Sequence, residues 1–92
     1  MPKLTVHLYG PVPAKFMDLD LEFDGAFNLE MVERKLFDMF GDNIPKDYRT
    51  EDGLFNHQLV ISGDAKGKRV GYDEKDISHL GAIWFVVPVG GG

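Results

Sequence analysis

The chain of 92 residues contains no cysteine, which removes disulfide scaffolds, thiolate metal sites and thiol nucleophiles together. Packing alone must hold it. No apolar run approaches the ~20 residues that a membrane-spanning helix needs, and the opening Met1-Pro2-Lys3-Leu4 lacks the charged-then-apolar layout of a secretory signal. A cytoplasmic protein is expected. Basic residues are in deficit, 10 Lys and Arg against 15 Asp and Glu for a net charge of −5. Binding to nucleic acid at physiological salt rests on clustered Lys and Arg, so neither nucleic acid nor a membrane is an expected partner. A chain this short supports one core and leaves little room for a deep, enclosed cleft.

Motifs that carry chemistry are also missing. The three histidines, His7, His57 and His79, show no spacing that sets two on one helix face, as a helical zinc motif would. Ser62 and Ser78 lie in polar, turn-like segments without a nucleophile elbow. Gly63, Gly67 and Gly71 alternate with Lys66, Lys68 and Arg69, but neither the P-loop spacing nor a following helix is present. Asp18, Asp20, Glu22 and Asp24 recur two apart, which on a strand aligns four carboxylates on one face, a geometry open to a hard cation. The wet side of an alternating strand accounts for them more simply, and the run lacks the calcium-loop pattern. The expectation is a protein without catalytic residues, metal or cofactor.

What is present reads as a small α+β domain. Leu4, Val6 and Leu8 alternate with Lys3, Thr5 and His7, and Leu19, Leu21 and Phe23 alternate with the acidic row. Two strands forming an antiparallel pair follow. Gly10-Pro11 with Pro13 ends the first, and Asp24-Gly25 ends the second. The period then becomes helical, with Leu29, Val32, Leu36, Met39 and Phe40 along one stripe. Asn28 is the expected cap, Glu30 and Glu33 suit the positive helix start, Phe27 can staple onto Val32, and Gly41 is the expected left-handed C′ residue. Residues 41–54 have little periodicity and read as a crossing loop that can hold a short turn of helix. Leu59, Val60 and Ile61 suggest a strand, residues 62–67 a turn and residues 68–72 a short edge strand. Asp73 to Leu80 reads as a polar loop pinned by Ile77 and Leu80. Residues 82–87, Ala-Ile-Trp-Phe-Val-Val, are apolar on both faces, as a central strand is.

This order of elements is the β-grasp, or ubiquitin-like, arrangement: a mixed sheet of four to five strands with one main helix packed on one face. A parallel pairing of first and last strands would place the last in the middle. The expected domain spans residues 1–87, and residues 88–92 form a flexible Gly-rich tail.

Charge and side-chain direction suggest where such a domain would act. Residues 18–52 carry eleven acidic and four basic groups, an attraction for a basic partner, although charge runs are usually solvated faces. On a strand Trp84 and Val86 face away from Ile83, Phe85 and Val87. If the second sheet face is bare, Trp84 and Val86 form a docking patch. If loops such as 41–54 fold over it, they do not. Pro88 cannot donate to a sheet ladder and ends the strand, so Val86, Pro88 and Val89 join Trp84 as candidate interaction residues. Gly90, Gly91 and Gly92 carry no side chains and form either a thin thread that can enter a channel or a linker stub.

Leu8-Tyr9-Gly10, Phe16, the Leu19-x-Leu21-x-Phe23 strand and Val86-Val87-Pro88-Val89-Gly90 together resemble the lambda-type phage tail assembly protein I family. The resemblance covers nearly the whole chain and implies a ubiquitin-like domain that helps build the tail tip, with other phage tail proteins as partners in the host cytoplasm. Typical members continue into a Gly/Ala-rich apolar region beyond the position of Gly92. The ending is also similar to that of sulfur carriers, the molybdopterin-synthase small subunit and the thiamine sulfur carrier. That likeness implies a carrier in which a separate adenylating enzyme converts the terminal glycine of the Gly91-Gly92 pair to a thiocarboxylate.

Overall fold

A computed structural model of the chain describes residues 2–12 and 16–88. Four strands form one sheet in the order β2-β1-β4-β3: β1 Lys3–Tyr9, β2 Phe16–Glu22, β3 Ile61–Gly63 and β4 Ala82–Val86. The first two pair antiparallel with Leu4 opposite Leu21, Val6 opposite Leu19 and Leu8 opposite Met17. This register sets Leu4, Val6 and Leu8 with Met17, Leu19 and Leu21 on one face, and a slip by one residue would turn the slipped strand's set to water. β4 lies parallel to β1 with Ile83 beside Val6 and Phe85 beside Leu8, and β3 runs antiparallel to β4. The last strand is thus central, and the architecture is α+β and β-grasp-like.

Helix α1, Leu29–Phe40, begins where Asn28 in extended conformation accepts a 3.0 Å hydrogen bond from the Met31 amide, satisfying an N–H that the first turn leaves unpaired. Leu29, Val32 and Leu36 are wholly buried in one core with Leu4, Val6, Leu8, Ile83 and Phe85. Phe27 is buried too, and its ring stacks on Phe23 at 4.0 Å. Phe55 touches Phe37 of the helix at 4.8 Å between centroids and Phe85 of the sheet at 5.0 Å. The crossing loop therefore packs on the helix side, with Ile44 and Phe55 as its anchors. It contains two short 3₁₀ turns, Gly41–Asn43 and Lys46–Tyr48. Ile77 is fully buried and its amide donates to the Phe27 carbonyl at 2.7 Å, pinning the 73–80 loop as expected.

Three local expectations are corrected. Gly41 is right-handed, at φ −52°, because the chain runs on into a 3₁₀ turn that buries Ile44, while Arg49 donates to the Gly41 carbonyl at 3.1 Å. Met39 is exposed although at 100° per residue it falls only about 20° from wholly buried Val32, because it stands in the last turn of α1, past the last buried residue Leu36. Residues 68–72 form no strand. They touch β3 at the Gly63–Arg69 bridge and through Val70 N–H to the Ser62 carbonyl, and then turn away so that Tyr72 reaches the helix.

Gly10 has φ +113°, and a Cβ there would stand 3.0 Å from the Val87 Cβ. Both the left-handed backbone and the close approach of the chain leaving β4 require glycine. Gly10→Ala is expected to cost about 1–3 kcal/mol, and Leu36→Ala about 2–5 kcal/mol through a core cavity. Urea unfolding of each variant measures both.

Candidate functional site

The sheet face opposite the helix carries the odd-numbered residues of β1 and the even-numbered residues of β2 and β4. Among the described residues nothing covers it: each of these side chains is exposed or half-buried. Trp84 lies flat on the His7 imidazole, centroids 4.4 Å apart and planes 17° from parallel. His7 Nδ1 lies 2.5 Å from Asp18 Oδ1, and the Tyr9 hydroxyl donates to the same oxygen at 3.1 Å. Phe16 meets the Tyr9 ring edge-on at 5.4 Å and is 82% exposed. Along the same face Thr5 Oγ1 donates to Asp20 at 2.8 Å.

These contacts follow from strand register. His7–Asp18, Thr5–Asp20 and Tyr9–Phe16 stand directly opposite one another, and His7 is level with Trp84 in the parallel pair. The result is a continuous row, Phe16–Tyr9–His7–Trp84, bordered by Asp18, Asp20 and Glu22. The hydrogen bond from His7, aided by that from Tyr9, outweighs the small cost of desolvation and holds the Asp18 carboxyl below its usual range. Partial burial, with the hydrogen bond to Asp18 and its negative charge, raises the Tyr9 phenol. The row is therefore a charged, aromatic surface at neutral pH. Flat rings and fixed carboxylates present area and charge at low entropic cost, as docking surfaces do.

Trp84 and Val86 occupy the same face of β4, half-buried. Pro88 is exposed just past the strand, where the Val87 amide still donates to the Tyr9 carbonyl at 3.1 Å. Val89, Gly91 and Gly92 lie outside the described residues. His7, Tyr9, Phe16 and Asp18 joined the site only through cross-strand pairing. Their alternation was visible, but their partners were not.

A second polar cluster sits under the helix. Glu33 is wholly buried. Its Oε1 accepts from the Phe55 amide at 3.0 Å and from the Tyr72 hydroxyl, and its Oε2 faces His57 Nε2 at 2.7 Å. His57 Nδ1 lies 3.0 Å from the Val60 carbonyl, an acceptor only, so Nδ1 carries a proton, and the Glu33 carboxyl facing Nε2 favours a second one. Burial opposes that charge, but the Glu33 carboxylate and the Val60 carbonyl outweigh it, and the His57 pKa is raised. The Tyr72 phenol is pushed up by burial and by the same carboxylate. A cleft of about 470 Å³ opens beside the cluster, lined by Leu29, Ser62, Val70 and Tyr72 with Lys68, Arg69, Asp73 and Glu74 at its walls. With both carboxylate oxygens and both ring nitrogens engaged inside the protein, the cluster clips helix, crossing loop and residue 72 together. No group of three or more His, Asp or Glu side chains is gathered as metal ligands among the described residues.

The clip has a pH signature. A histidine whose pKa is higher folded than unfolded adds stability that is complete below about pH 6.5 and fades as pH rises through the folded value. Urea midpoints measured from acid to mildly alkaline pH should fall across that window in the natural chain and run flatter in Glu33→Gln. Glu33→Gln should itself lose about 1–3 kcal/mol below the window, because it removes the charged partner of a part-buried imidazole. A midpoint independent of pH in the natural chain would show His57 to be neutral.

No protein-family model matches the chain, and no curated protein and no solved structure is significantly similar to it.

Proposed function

We propose that this chain is a ubiquitin-like docking module that takes part in phage tail-tip assembly in the host cytoplasm, binding other tail proteins and catalysing nothing itself. The observation that carries this reading is the uncovered Phe16–Tyr9–His7–Trp84 row with its acidic border. It offers what an assembly contact needs: rings that lose little entropy on burial and carboxylates that select a basic counterpart. The tail-tip assignment comes from the sequence resemblance, and the docking role is supported by the surface.

The sulfur-carrier reading is favoured by one feature, the exit of the chain from the central strand at exposed Pro88 toward Gly91 and Gly92. In that reading the partner is an adenylating enzyme and the working atom is a terminal carboxylate at Gly92.

Both readings are tested directly. In a phage that encodes the protein, Trp84→Ser and Phe16→Ser should give cells that accumulate heads without joined tails by electron microscopy. The purified variants should keep the circular dichroism spectrum of the natural chain. Normal tails from both variants would remove the docking reading. Incubation of the natural chain with ATP, a sulfur source and a carrier-activating enzyme, read by intact mass, should leave the mass unchanged. Exchange of one oxygen for sulfur would establish the carrier instead.

A further inference from the structure

The sheet has two edges, and they differ. Beside β3 the chain closes its own margin: Val70 donates to the Ser62 carbonyl at 3.1 Å, Ser62 Oγ donates to the Val70 carbonyl at 2.8 Å, and Asp64 donates to the Lys68 carbonyl at 2.9 Å. Beside β2 no described residue pairs. β2 is seven residues long, a long open edge by the standard of natural sheets, which blunt such margins.

Which backbone groups that edge offers can be derived. Phe23 N–H donates to the Pro2 carbonyl, while Thr5 N–H and Tyr9 C=O bond toward the β4 side. In an antiparallel pair the bonded residues alternate, so Met17, Leu19 and Leu21 face β1. The N–H and C=O of Phe16, Asp18, Asp20 and Glu22 therefore point outward, unpaired among the described residues.

Side chains on either side of this edge define what would pair with it. Above it stand Asp18, Asp20 and Glu22. Below it, Met17 and Leu19 are only half-buried, whereas Val6, Leu8, Ile83 and Phe85 of the inner strands are fully buried. Met31 of the helix is 43% exposed, and Lys35 reaches across with its Nζ 5.2 Å from the Phe23 ring, so this helix flank borders the β2 margin. The edge thus has an acidic upper side and an apolar ledge below. A second copy does not fit, since antiparallel pairing of two β2 strands about Asp20 would set Asp20 against Asp20 and Asp18 against Glu22.

We infer that β2 is a strand-addition site for an extended antiparallel segment of another protein, one that alternates basic with apolar residues. Its basic side chains pair with Asp18, Asp20 and Glu22, and its apolar ones cover Met17, Leu19 and Met31. Main-chain hydrogen bonds give affinity in this mode and alternate side chains give specificity. The inference rests on the reading of the chain as a docking module and adds the class of partner.

The probe is a synthetic eight-residue peptide alternating lysine and valine, titrated into the ¹⁵N-labelled full chain with amide hydrogen exchange read by NMR. Exchange at the amides of Asp18, Asp20 and Glu22 should slow at least tenfold at saturation. A glutamate–valine peptide should not slow it. A lysine–valine peptide N-methylated at its lysine backbone nitrogens keeps the charge but loses the ladder, and it should bind at least tenfold more weakly. Unchanged exchange at the three amides, or equal binding of the N-methylated peptide, would overturn the inference, the second by showing attraction through charge alone. Should exchange be unchanged while Trp84→Ser still abolishes tail joining, the edge inference falls and the docking reading stands. Should the amides be protected while Trp84→Ser assembles normal tails, the edge inference stands without the open-face reading.

Discussion

The parallel pairing of β1 with β4 is the constraint on which the rest of the molecule depends. It joins the earliest strand to the latest, so the apolar residues of β4 must serve two surfaces. Ile83 and Phe85 complete the core beneath the helix, and Trp84 is delivered level with His7 on the opposite side. Core and open face are thus set by one register. A one-residue slip would bring Trp84 under the helix and leave Ile83 and Phe85 in water.

Much of this architecture was legible because hydrophobic period records which side of an element faces inward. The alternations around Val6 and Leu21, the helical stripe of Leu29, Val32 and Leu36, and the two-sided apolar run at Ile83 to Val86 each specify an element and its inner face. The buried clip was missed for a physical reason. Glu33 lies about 40° from Leu29 around the helix, between the core-packed Phe40 and Phe37, yet an acidic residue near a helix start has a ready explanation in the helix dipole. Its position inside the stripe was the available signal, and it needed partners from the crossing loop, His57 and the Phe55 amide, which no periodicity links to residue 33. Tyr72 was hidden in the same way, inside a segment that reads as a strand until the chain turns away to reach the carboxylate.

Two arrangements of the same residue types are used for opposite ends. Beneath the helix, an imidazole and a phenol converge on a wholly buried carboxylate and satisfy it. On the open face, His7, Tyr9 and Asp18 repeat that chemistry in contact with water, bonded enough to be held in place and exposed enough to be reached. The difference lies in the carboxylate: that of Glu33 is wholly buried and that of Asp18 is 61% exposed. A buried carboxylate left without its donors would cost several kcal/mol, so Glu33 is fully engaged, whereas Asp18 meets no such demand.

The placing of β4 also bears on how the chain folds as it is made. β1 and β2 emerge early from the ribosome, but the inner margin of β1 waits for residues 82–86, the last strand among the described residues. Until then Leu4, Val6 and Leu8 lack half their cover, and a ribbon with both edges free is prone to pair with a neighbouring nascent chain. Closing so long a loop is also slow relative to local contacts. The sheet is therefore completed only once the Trp84 strand has been made, and the open face is completed with it.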